Sequence, residues 1–137
     1  MTKYILDTNF LARILIQDNS DHVKHVLAVI DSALDKNIEL FVDKAVLFEL
    51  VYVLTGNIYQ LTRLEVFNSI NSLLELNCFT FENLNTLLPT LATYRDTTLD
   101  IVDCYLIQKA VIEDYEFHSF DKKANKVYEA VKATAIT

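Results

Sequence analysis

Four carboxylates stand where the pattern of a helical surface does not readily place them. Asp7 directly follows the apolar run Tyr4-Ile5-Leu6, and Asp121 follows Phe117-His118-Ser119-Phe120. Asp103 lies among Ile101, Val102 and Leu106, in a segment otherwise rich in apolar residues. Glu49 is the only charge between residues 45 and 54. A lone carboxylate on a buried helix is costly unless it is paired or bound to a metal. Taken singly, each acid has a plain structural use. Asp7 and Asp121 serve as helix N-caps, Asp103 as a first-turn acid favoured by the helix dipole, and Glu49 as part of a solvated strip. Taken together, they point to other chemistry. Two unit charges ~4 Å apart repel by about 4 kcal/mol at an effective dielectric near 20. Four converging carboxylates therefore require protons or cations. Mg²⁺ or Mn²⁺ suits them, because hard cations choose oxygen ligands and keep several waters. A site of that kind is poised for phosphoryl chemistry.

The elements that must position these acids follow from periodicity and punctuation. Residues 4–6 form a short strand ended by Asp7-Thr8-Asn9, three good capping residues. Residues 10–16 continue as a short apolar helix, and Asp18-Asn19-Ser20-Asp21 is a break. Residues 22–36 carry Val23, Val26, Leu27, Ile30, Ala33 and Leu34 at helical spacing. A second strand spans residues 38–42. Asp43 then caps a helix that stops at Gly56. Thr62-Arg63-Leu64-Glu65 has the form of a capping box, and the helix it opens carries Val66, Phe67, Ile70, Leu73 and Leu74. Residues 78–81 form a third strand. Residues 84–94 make a weaker helix, since Pro89 lies within it, and residues 98–113 a strong one. Residues 117–120 close a fourth strand, Asp121 opens a short lysine-bearing helix, and residues 131–136 supply a last edge strand.

Short strands alternating with longer helices predict an α/β fold with a mostly parallel sheet and helices on both faces. No composition shift marks a linker, so residues 1–137 are expected to form a single domain. Ligands in such folds sit beyond the carboxyl ends of the strands. That rule singles out Asp7 and Asp121.

Composition narrows the function. The chain of 137 residues has one glycine, Gly56, and one proline, Pro89. The phosphate-cradling P-loop and the dinucleotide fingerprint both need several glycines, so neither is present. A 52% hydrophobic content with 23% charged residues supplies a core and excludes disorder. No apolar run reaches the ~18–20 residues that span a bilayer. An acid at position 7 comes too early for a signal peptide. Cys78 and Cys104 then read as free thiols of a cytoplasmic protein. The formal net charge of -7 argues against gripping nucleic acid by bulk charge. It does not exclude nucleic acid as the substrate of a metal-bearing site.

Tyr4-Ile5-Leu6-Asp7-Thr8-Asn9-Phe10-Leu11-Ala12-Arg13 resembles the opening of the family of PIN-domain nucleases of the VapC toxin type. Phe48-Glu49-Leu50-Val51-Tyr52-Val53-Leu54 is similar to its second acidic motif, and Leu99-Asp100-Ile101-Val102-Asp103-Cys104-Tyr105-Leu106-Ile107 to its third. His118-Ser119-Phe120-Asp121-Lys122-Lys123 resembles the last, where a small hydroxylated residue stands two before the Asp. Order and spacing agree over nearly the whole chain. The resemblance implies a PIN-like three-layer α/β/α sandwich and a metal-dependent endoribonuclease. It implies Asp7, Glu49, Asp103 and Asp121 as the acidic site for Mg²⁺, with Mn²⁺ as the other candidate. Asp7 and Asp103 would be direct ligands. Glu49 and Asp121 would hold metal-bound waters or a second ion, with Thr8, Asn9 and Ser119 as polar support. It also implies single-stranded or looped RNA as substrate, a small protein antitoxin as partner, and a homodimer. Two departures concern packing: Gln108-Lys109 replaces small residues, and Glu113-Asp114-Tyr115 replaces a turn that often contains Gly.

Other residues divide between structural and functional uses. Asp100 shares a helix face with Asp103, although Thr97 and Asp100 have the spacing of a capping pair. His22 and His25 have the i, i+3 spacing of a metal pair, but no further Cys or His completes a set, which favours surface histidines. His118 reads as a strand-end residue near the last acid. Lys122, Lys123, Lys126 and Lys132 give residues 117–137 a local excess of two positive charges. That is either a phosphate-tracking strip or a solvated helix face. Arg13 and Lys44 lie near the expected carboxyl edge, within reach of RNA phosphate. Tyr52, Tyr59 and Tyr94 are candidates for base stacking or for plain packing. Two rival functions remain. One is a non-catalytic RNA- or protein-binding module that keeps the fold. The other is an aspartate-based phosphatase using Asp7, which normally has a second Asp two residues on, where this chain has Asn9.

Overall fold

In a computed structural model, residues 2–17 and 20–136 are described. The chain divides into two compact units, Met1–Glu82 and Asn83–Thr137. Asp18 and Asn19, half of the expected break, lie outside the described residues.

The first unit contains β1 (Lys3–Ile5), α1 (Thr8–Leu15), α2 (Ser20–Lys36), β2 (Glu39–Val42), α3 (Lys44–Thr55), α4 (Arg63–Glu75) and β3 (Phe79–Phe81). The strands form a parallel sheet in the order β1-β2-β3. Lys3 pairs with Glu39, Ile5 with Phe41, Leu40 with Phe79 and Val42 with Phe81. Each crossover is a pair of helices, as parallel neighbours require. β2 is central, and its Leu40 and Val42 are buried with Leu11, Leu50, Leu54, Ile70 and Leu73. Thr62 and Glu65 form both bonds of the capping box that opens α4.

The second unit contains α5 (Leu84–Asp96), α6 (Ile101–Ile112) and α7 (Lys122–Ile136). α6 packs against both α5 and α7. α5 runs through Pro89 without a break. The carbonyl that loses its partner there belongs to Asn85, an exposed residue that water can reach. The two departures from the family pattern on α6 are accommodated by bonds. Gln108 is buried and its amide donates to Thr93 Oγ1 at 2.9 Å. Lys109 pairs with Glu113 at 2.8 Å, one helical turn away.

Two expected strands are absent. Residues 117–120 join no ladder among the described residues. Their polar groups are met locally instead: Asn125 Nδ2 donates to Ser119 O at 2.8 Å, and Asp121 N–H donates to Ser119 Oγ at 3.0 Å. Side-chain bonds of this kind compete with sheet ladders. Residues 131–136 are not an edge strand but the end of the α7 helix. Ala130, Ala133 and Ala135 favour that outcome intrinsically. Lys132 also lies over the Tyr128 ring, 5.7 Å from its centroid and one turn away.

The scarcity of glycine has a visible consequence. Asn37, Gln60, Asn83 and Asp114 adopt positive φ values between 52° and 59°. Gly56 does not, since its φ is -71°. Its smallness matters through close approach, because a Cβ there would lie 3.1 Å from Tyr52 O. Asp114 makes the turn that ends α6, and Tyr115 N–H reaches back to Ala110 O at 2.8 Å. This is the place where a helix end usually carries Gly. Replacing Asp114 by Gly should therefore raise stability by about 0.5–1 kcal/mol, read as a shift in a urea melt. An unchanged or lowered midpoint would show that the Asp side chain compensates for the backbone conformation.

Candidate functional site

The carboxyl ends of all three strands carry acids. Asp7 follows β1 after Leu6, Asp43 follows β2, and Glu82 follows β3. Each is engaged locally. Asp7 Oδ1 accepts the Phe10 N–H at 2.9 Å and caps α1. Asp43 Oδ1 accepts the Ala45 N–H at 2.9 Å and caps α3. Glu82 accepts the Lys44 N–H at 3.2 Å, and its other oxygen lies 4.0 Å from Lys44 Nζ. Lys44 thus sits at the expected edge, but beside a carboxylate. Sequence reading gives Asp43 only as a helix cap and passes over Glu82. Their signal was the rule that selected Asp7, an acid directly after a strand.

Asp7 and Asn9 are exposed, and Thr8 between them is buried as the first residue of α1. Arg13 lies one turn beyond Phe10 on the same helix. Glu49 is exposed on α3. The expectation of a carboxylate on a buried helix face fails there. Leu47, Leu50, Val51 and Leu54 take the buried face, and Glu49 emerges between them.

In the second unit, Asp121 Oδ1 accepts the Lys123 N–H at 2.9 Å and the Ala124 N–H at 3.4 Å. It thereby opens α7, and Ser119 Oγ anchors its own N–H. Lys122 and Lys123 are exposed in the first turn that follows. Cations there oppose the helix dipole. Asp103 is half-buried in the first turn of α6. As a mere first-turn acid it should gain from the dipole and hold its proton weakly. Instead its carboxyl is pushed above the usual range, chiefly by burial and then by the charges of Asp100 and Asp121. Asp100 stands at the N-cap position of α6 without a side-chain cap bond. The Thr97 hydroxyl donates to Thr93 O at 2.8 Å and accepts from Leu99 N–H at 3.3 Å, so Thr97 and Asp100 do not form the expected capping box.

The acids of the second unit are thus near enough to repel one another. Among the described residues, however, no three His, Cys, Asp or Glu side chains are drawn together in a metal-holding group. The donor chemistry suits a hard divalent cation, and a cation would relieve the repulsion that Asp103 feels. Cys78 and Cys104 are free thiols. No helix among the described residues is long and apolar enough to cross a membrane.

The family model of the PIN domain matches residues 4–130. Comparison with curated proteins and with solved structures gives no match. PIN domains are generally nucleases, generally use divalent metal ions, and as nucleases bind RNA. Seven helices with a small three-stranded parallel sheet, among the described residues, agree with the α/β class expected of them.

The raised carboxyl of Asp103 sets a pH dependence. An acid whose proton is held more tightly in the folded state than in the unfolded chain favours folding at low pH. The cost of ionising it appears as pH rises through the ordinary value of 3.8 and is complete above the raised one. Asp103→Asn should thus raise Tm by about 2 °C at neutral pH without metal. The gain should vanish at pH values below 3.8. A loss of Tm at neutral pH would show that Asp103 serves folding rather than a ligand.

Proposed function

The chain belongs to the PIN-domain family, and from that premise we propose that it is a metal-dependent endoribonuclease, the toxin of a toxin–antitoxin pair. Asp7, Glu49, Asp103 and Asp121 are its acidic set, and residues 1–137 act as one functional domain. The observation that supports this reading best is the family match over residues 4–130, which spans all four acids, and the placement of Asp103 adds to it. A half-buried carboxylate repelled by Asp100 and Asp121 is a poor structural choice. It is a sensible one for a group whose natural neighbour is a cation.

Asp7 and Asp103 would hold Mg²⁺ or Mn²⁺ directly, with Glu49 and Asp121 acting through water. When bound, the ion supplies Lewis acidity and lowers the pKa of a water molecule for attack on a phosphodiester. The rest falls to the chain. Capping bonds fix the Asp7 and Asp121 carboxylates relative to their helices. Ser119 anchors the Asp121 backbone, and Thr8 and Asn9 open α1 beside Asp7. Lys122 and Lys123 occupy a first turn that disfavours cations, and phosphate contact would offset that cost. Arg13 and Lys44 add charge at the carboxyl edge, Lys44 beside Glu82.

The partners are an RNA substrate, a small protein antitoxin and a second copy of the chain, in the cytoplasm. An outward strip on α2 supports protein partners, because Leu27 is 50% exposed and Leu34 is 60% exposed. They lie seven residues apart, on one helix face.

Purified protein should cleave RNA with Mg²⁺ or Mn²⁺ and not in EDTA. Asp7→Asn and Asp103→Asn should each lower cleavage at least ~100-fold, as loss of an electrostatic catalytic group typically does. Both should still fold, since Asn also caps helices and removing the Asp103 charge relieves repulsion. Undiminished cleavage in EDTA, or in both variants, overturns the mechanism. Expression of the chain alone should arrest growth, and the adjacent small gene should relieve the arrest. Growth without arrest removes the toxin role and leaves the nuclease. Light scattering should report a dimer that Leu34→Glu weakens. A wild-type monomer would remove the homodimer.

A further inference from the structure

A cavity of about 270 Å³ opens beside Asp7, lined by Asn9, Phe10 and Arg13 from α1 and by His22 and His25 from α2. Phe10 and Arg13 are one turn apart, as are His22 and His25. The packing of α1 on α2 brings these two faces together. The first unit therefore holds three planar rings, a planar cation and an amide around one small space next to a candidate catalytic acid.

These are the groups that recognise an unpaired nucleotide. Bases of single-stranded RNA stack on Phe or His rings and on guanidinium planes, and hydrogen-bond through their edges. The Asn9 amide offers both a donor and an acceptor to a base edge, and Arg13 offers a fork to a phosphate. Neither contact requires a charged imidazole, since the neutral ring keeps its π face and one N–H. The volume lies below that of a typical drug-sized site, which suits a single nucleotide rather than a folded ligand. The spacing of His22 and His25 also fits a metal pair, but they and Asp7 do not form a metal-holding group. Against a net charge of -7, the one carboxylate lining this cavity is offset by Arg13.

We propose that the cavity between α1 and α2 binds one unpaired nucleotide of the RNA strand and so selects the base beside the cleavage position. The role in cleavage rests on the ribonuclease reading, whereas binding to the cavity is measurable without it. The four 5′-ribonucleotide monophosphates would be titrated into the isotope-labelled full chain without divalent metal, with ribose 5-phosphate as control. Amide shifts should centre on residues 9–13 and 22–26, with one base preferred and the sugar phosphate at least about tenfold weaker. His25→Ala should weaken binding about tenfold, with an unchanged melting curve showing that the fold survives.

Equal binding of nucleotide and sugar phosphate overturns the proposal, as does the absence of shifts around the cavity at millimolar nucleotide. Full affinity in both His25→Ala and His22→Ala overturns it too. So does a cavity that responds only to a protein partner and not to nucleotides. RNA cleavage without nucleotide binding here defeats this inference alone. Nucleotide binding here without cleavage under any divalent metal defeats the nuclease and leaves the subsite.

Discussion

Three helices of this protein begin where a carboxylate accepts their first free amides. The first N–H groups of any helix lack intrahelical partners, and an Asp side chain satisfies one or two of them. Asp7 does this for α1, Asp43 for α3 and Asp121 for α7. Strands of three or four residues leave little room for long turns, so the chain passes almost directly from strand to helix. Asp7 and Asp43 are therefore placed at the carboxyl edge by the needs of the backbone. A set of carboxylates at one edge of an α/β sheet is thus partly a by-product of building short strands into helices.

The same arrangement explains why Asp103 differs from the caps. Asp7, Asp43 and Asp121 each accept backbone hydrogen bonds. Asp103 sits in a first turn, half-buried, with the charges of Asp100 and Asp121 acting on it. The helix dipole favours the carboxylate, but burial and like charge outweigh it. Charge that serves no fold is a stronger pointer to ligand binding than charge that caps a helix. By that measure Asp103 is the most informative of the four acids, and Asp7 and Asp121, which cap helices, the least.

Glycine scarcity runs through the architecture in a related way. Turns that would ordinarily use glycine use Asn37, Gln60, Asn83 and Asp114 at positive φ. Asn and Asp tolerate this conformation better than most residues, so the strain at three of these positions is modest. Under the proposed function, the absence of glycine-rich loops leaves phosphate to side chains and metal, and the exposed lysines opening α7 and the cavity beside Asp7 are the groups proposed for it.

Much of the fold was legible where the determining interactions are close in sequence. The capping box at Thr62, the cap at Asp43 and the alternation of three short strands with helices depend on residues within a few positions of one another. The four acids and their order were legible for the same reason, since a motif is local. Tertiary structure decided what depends on distant partners. Residues 117–120 look like a strand, but a strand needs a neighbour, and Asn125 and Ser119 supply the hydrogen bonds instead. Residues 131–136 pattern as a strand, yet they continue a helix that packs on α6. Burial likewise belongs to the whole: an uncharged run around Glu49 could not say which side faces water. Nor could spacing alone show that His22 and His25 meet Phe10 and Arg13, because that meeting exists only once α1 and α2 are packed.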